Sequence, residues 1–175
     1  MSFLKLTTLV FLTGTVFLSF NTGAPPAKIG MDIGNAIPDI NTTTIDGSPF
    51  SLNRLKGKMV IVNIWASYDA PSRVKNSELE ELKSKFSDSG FLNGKGLEVV
   101  SISLDRFMTP VNEAIKMDGI KDFYHICDLQ GKNGLVKNYG ITEPVSILVD
   151  GDGRIVAKTN SVNKITDALS FLVRN

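Results

Sequence analysis

A chain of 175 residues, 42% hydrophobic and 21% charged, is long enough for one globular domain with a buried core and excludes a multidomain machine, a disordered chain or a coiled coil. Basic residues number 19 and acidic residues 18, and Lys5 is the only charge before Pro25, so the rest balances at 18 of each and gives no electrostatic case for a nucleic acid or an anionic membrane. The single cysteine, Cys127, excludes an internal disulfide, a Cys-x-x-Cys redox centre and a multi-cysteine metal site.

Residues 6–20 form an uncharged run rich in Leu, Val and Phe behind Lys5. About fifteen apolar positions suit the core of a signal peptide better than a membrane span, which needs roughly 20. Thr22, Gly23 and Ala24 supply the small residues of a cleavage site, although Pro25 obstructs cutting directly after Ala24. Residues 1–24 are therefore expected to be a signal peptide or an uncleaved N-terminal anchor, the chain's only expected membrane contact, with export to a bacterial periplasm or cell envelope. A Pro- and Gly-rich linker at 25–34 and one domain at 35–175 complete the expected organisation.

Runs 41–45 and 48–51 flank Asp46-Gly47 and predict a compact hairpin, with Pro49 keeping the second run at an edge. Asn41-Thr42-Thr43 also fits an N-glycosylation acceptor, relevant only in a eukaryotic host. The β-branched apolar run 59–65 predicts a central strand buried on both faces. A polar turn at 67–71 leads to a helix over 72–86, with Leu79, Leu82 and Phe86 on its apolar face. Residues 97–104 predict a second buried strand, and Thr109-Pro110 opens a helix reaching about Met117. A short strand at 123–126 and a short helix at 134–139 follow. Strands at 145–149 and 154–157 flank Asp150-Gly151-Asp152-Gly153 as a hairpin, and Ser161 caps a final amphipathic helix through Ile165, Ala168, Leu169 and Leu172. The order βαβα followed by ββα predicts an α/β sandwich around one mixed sheet.

Several of these residues, in this order, are shared with a known group. Ile37-Pro38-Asp39 precedes Asp46-Gly47 and Ser51-Leu52; Leu55 to Lys58 leads into the central strand; Trp65-Ala66-Ser67 ends it; Glu143-Pro144 precedes the last hairpin. On these residues the chain resembles the thioredoxin superfamily, in its exported TlpA/ResA-like branch that overlaps AhpC/TSA-type domains. The resemblance implies a thioredoxin-like three-layer α/β/α sandwich with a mixed central sheet and an N-terminal β-hairpin extension. It also places Pro144 where the family has a cis-proline.

The departure lies in the motif. Where the family carries Trp-Cys-x-x-Cys-Arg, this chain reads Tyr68-Asp69-Ala70-Pro71-Ser72-Arg73, so the two cysteine positions are Asp69 and Ser72. Thiol-disulfide exchange needs a thiolate to attack and a second sulfur to resolve the mixed disulfide, and neither a hydroxyl nor a carboxylate replaces them. Asp69 at a helix start instead suits an N-cap, its anion favoured by the same dipole that stabilises a thiolate. A serine nucleophile would need a base, and the only histidine, His125, is expected on a neighbouring strand without reason to face Ser72. Glu143 and Asp69 would make a pair of carboxylates able to bind a cation, but no third ligand is evident, and no metal or other cofactor is expected. Asp150 to Gly153 is a turn, because Ser161 stands where a calcium loop needs Glu. Cys127 beside Ile126 is expected to be buried, with Asp128 opposing a lowered pKa.

The expected function is an exported thioredoxin-like protein inactive in dithiol-disulfide exchange, acting as a binding or accessory module. The resemblance implies a groove of Trp65, Tyr68, Pro71, Glu143 and Pro144 able to hold an extended peptide or an envelope protein. The competing readings are an oxidoreductase or antioxidant working through Cys127 or an external thiol, and a structural domain of an envelope complex.

Overall fold

The computed structural model describes residues 27–129, 134, 137, 139–141 and 143–174. The expected signal peptide lies outside the described residues, as does half of the helix expected at 134–139.

The elements run β1 (Asn41–Thr43), β2 (Pro49–Ser51), a 3-10 turn (Leu52–Leu55), β3 (Met59–Trp65), α1 (Ala70–Phe86), β4 (Leu97–Ser103), α2 (Met108–Asp118), β5 (Tyr124–Cys127), β6 (Val145–Val149), β7 (Ile155–Thr159) and α3 (Val162–Leu172). β1 and β2 pair as the expected antiparallel hairpin, and the other five strands form one mixed sheet in the order β5-β4-β3-β6-β7. This is a thioredoxin-like α/β fold with an N-terminal hairpin extension.

β3 explains the architecture. Every residue from Met59 to Trp65 is buried. Alternation sends Val60, Val62 and Ile64 into one apolar cluster with Ile40, Phe50, Leu52, Val100, Ile102 and Ile147, covered by the hairpin and the N-terminal segment. Met59 and Ile61 enter the opposite cluster with Leu79, Leu82 and Phe86 of α1 and Ile165 and Leu169 of α3. A strand covered on both sides needs no polar face, which is why the run is apolar at every position but Asn63.

β3 runs parallel to β4, from Met59 opposite Leu97 to Trp65 opposite Ser103, and β4 runs parallel to β5. β6 is antiparallel to β3, with Ile64 opposite Val145. One end of the sheet therefore collects the exits of β3, β4 and β5 together with the entry of β6, and loops leaving such an end are where an α/β sheet presents its site. At the opposite end, Gly151 approaches the loop between α1 and β4 so closely that a Cβ there would lie 1.8 Å from the Asn93 carbonyl oxygen.

The stretch expected to be a linker carries backbone bonds to the domain. The Gly34 N–H donates to the Ile155 carbonyl and the Ala36 N–H to the Lys28 carbonyl, each at 2.9 Å or less. Pro144, which the resemblance places where the family has a cis-proline, follows Glu143 through a trans bond, and no cis peptide bond occurs among the described residues.

Candidate functional site

α1 begins one residue after Asp69, whose extended backbone (φ −98°, ψ 100°) is that of an N-cap, with Pro71 in the first turn. The Asp69 Oδ2 accepts the Ser72 N–H at 2.9 Å and also the Ser72 hydroxyl. The two positions that would hold sulfurs are thus bonded to each other. Ser72 is only 2% exposed, so its hydroxyl is neither accessible nor free to attack anything. Arg73, the residue after the motif, spends its guanidinium on α2: Nε and Nη2 donate to the two oxygens of Asp118 at 2.9 and 2.5 Å.

Of the expected groove, Tyr68 is 78% exposed, Pro71 and Glu143 are exposed and Pro144 is half-buried. Trp65 corrects the expectation. It has no exposed surface and packs against Val111 and Ala114 of α2, because it is still an in-register strand residue facing the helical layer. It offers a peptide nothing, and its buried indole N–H finds no acceptor among the described residues. Around the same end of the sheet, residues the sequence did not single out present apolar surface: Phe107, 72% exposed, at the cap of α2, Met108 in its first turn, and Leu129 after β5.

Beneath this rim lies a polar unit that sequence reasoning missed. Asp105, buried just beyond β4, accepts the Ser67 N–H at 2.8 Å, the Ser67 hydroxyl at 2.5 Å and the Ser103 hydroxyl at 2.5 Å. It pins the turn between β3 and α1 to the end of β4, with enough donors to hold a buried carboxylate. A second buried chain runs from Ser146 Oγ to Asn63 Oδ1 and from Asn63 Nδ2 to Asn76 Oδ1, each 2.7 Å, tying β6, β3 and α1. Lys75, also buried on α1, reaches the Asn160 side chain at 3.4 Å, and burial lowers its pKa against the pull of Asp69. Only short sequence spacings, Ser103 to Asp105, hinted at any of this; the other contacts are long-range.

Cys127 is half-buried at the end of β5 beside the Trp65 cluster, its thiol 3.8 Å from the Asp105 carbonyl oxygen. Burial, opposed by the Ser103 hydroxyl and reinforced by the Asp105 and Asp128 carboxylates, pushes its pKa up. A raised pKa leaves the thiol protonated near neutrality, the poor nucleophile rather than the reactive thiolate. His125 is 8% exposed, two strands from β3, and burial drives its pKa down to about 4. The neighbouring Ile120 backbone opposes that shift without a well-formed hydrogen bond to either ring nitrogen. His125 does not meet Ser72, and no polar contact joins Glu143 to Asp69 among the described residues. Nor is any group of three His, Cys, Asp or Glu side chains among those residues placed to hold a metal ion.

The Redoxin family model matches residues 32–172. A curated relative, the thiol-disulfide oxidoreductase ResA of Bacillus cereus, is 28% identical over 149 residues, covering 85% of this chain and 81% of its own. The thioredoxin-like protein YneN of Bacillus subtilis is 26% identical, with 73% of this chain and 71% of its own covered. Among solved structures, the thioredoxin domain of a thiol-disulfide oxidoreductase from Bacteroides vulgatus superposes with a TM-score of 0.67 at 26% identity, covering 80% of this chain and 99% of that one.

Proposed function

The chain belongs to the Redoxin family, and from that premise we propose that it is a binding or accessory module of the cell envelope that performs no dithiol-disulfide exchange. The observation that carries the reading is the closed pair at the head of α1, where Asp69 accepts both the amide and the hydroxyl of Ser72. Exchange needs two sulfurs within reach of one another, and the chain contains one, with a protonated thiol outside the motif.

What supports binding is the surface that remains. Tyr68, Phe107, Leu129 and Met108, the first residue of α2, expose apolar side chains at the end of the sheet where Pro71 and Pro144 also lie. Apolar side chains gathered at a sheet's site end suit an extended peptide or protein segment bearing aromatic and aliphatic residues. Export is supported by the apolar run at 6–20.

The test is fluorescence anisotropy of labelled extended peptides rich in aromatic and aliphatic residues. Peptides that bind the full chain should lose at least about tenfold in affinity to Tyr68→Ala/Phe107→Ala, as expected when aromatic anchors are truncated. Unchanged binding in that variant would remove this rim as the docking surface.

A further inference from the structure

The N-terminal hairpin encloses a cavity of about 670 Å³ against the edge strand β5. The cavity lies toward Lys58, just before β3, and Lys121, before β5, and so at the opposite end of the sheet from Asp69. Phe50 and half-buried Tyr124 give it an aromatic wall, their rings tilted by 46° with centroids 5.3 Å apart, and Phe123 and His125 also line it. Three cations, Arg54, Lys58 and Lys121, and a single acid, Asp46, are among its lining residues.

These charges differ in availability. Lys58 Nζ lies 2.6 Å from Glu98, and the Asp46 carboxylate accepts the Thr44 hydroxyl and the Ser48 N–H. Arg54 and Lys121 are exposed, and neither forms an ion pair with a carboxylate among the described residues. A chain of balanced overall charge thus sets two uncommitted cations beside aromatic rings.

We infer that this cavity binds a small planar anion of the aromatic carboxylate class. The ring stacks on the aromatic wall, where burial of its apolar area supplies most of the affinity. The carboxylate meets Arg54, whose planar fork matches its two oxygens, and Lys121 as a second point charge. The site is separate from the apolar rim and does not depend on how that rim is used.

Titration of the full chain with 2-naphthoate, by calorimetry and by amide chemical shifts, tests the assignment. Saturable binding with shifts centred on Phe50, Arg54 and Tyr124 is expected, whereas acetate and 2-naphthylmethylamine, lacking the ring or the anion, do not bind. Arg54→Glu/Lys121→Glu, which alters two exposed side chains and should leave the melting temperature in place, should weaken 2-naphthoate by at least about tenfold. Absence of saturable binding, equal binding of acetate, unchanged affinity in the double variant, or shifts centred on Tyr68 and Phe107 would overturn it.

Discussion

Asp69 stands at the position of an attacking sulfur and does the work of a helix cap. Its carboxylate satisfies the Ser72 amide, one of the donors that the first turn of α1 leaves without an intrahelical partner. Asp69→Ala removes that acceptor and strands the buried Ser72 hydroxyl, so urea denaturation should show a loss of about 1–2 kcal/mol. Asp69→Asn, which caps equally well, should recover most of it. His125 makes a prediction of opposite character, in pH. Its folded pKa of about 4 lies below the ordinary value of 6.5, so the unfolded chain binds the proton first. The stability it contributes is whole above about pH 6.5 and declines as pH falls toward 4, by at most about 3 kcal/mol at one proton. Stability measured at pH 7 and pH 4.5 should therefore differ less in His125→Leu than in the parent, and equal pH dependence would refute the assignment. The capping role of Asp69 was legible in the sequence because it needs only the four residues 69–72. The burial of Trp65 was not, since it depends on α2, more than forty residues later, folding over the strand end.

At the scale of elements, local pattern and long-range closure divide in the same way. β3, the hairpin β1–β2 and the Ser161 cap of α3 follow from apolar runs, Asp-Gly turns and a capping side chain, all local signals, and the structure has them at or within a few residues of the expected places. The ties between elements are what sequence reading could not supply: Asp105 joining the ends of β3 and β4, Asn63 joining β6 to α1, and Arg73 clamping α1 to α2. Each pairs residues drawn from separate segments, and no periodicity announces them. The contact of the β6–β7 turn with the loop before β4 is another such tie. Gly151→Ala would drive a methyl group into the Asn93 carbonyl and within 3.0 Å of Gly94 Cα, backbone that cannot swing aside as a side chain can. Separation of the two loops should cost about 1–3 kcal/mol, read as a lowered denaturation midpoint, whereas an unchanged midpoint would mean the turn yields freely.

For the whole molecule, the scaffold and the chemistry come apart. The sheet order, the hairpin extension and the start of α1 place Asp69 and Ser72 where a redox pair would stand, and the fold needs no sulfur there to hold together. The neutral charge that opened no case for nucleic acid hides an uneven distribution, two cations without an ion pair among the described residues at one end of the sheet and an apolar rim at the other. The central claim, an intact scaffold without the exchange reagent, is tested most directly by the rate of insulin reduction with dithiothreitol. The parent chain and Cys127→Ala should both match the rate without protein, and Asp69→Cys/Ser72→Cys should exceed it. Catalysis by the parent that disappears in Cys127→Ala would contradict the account.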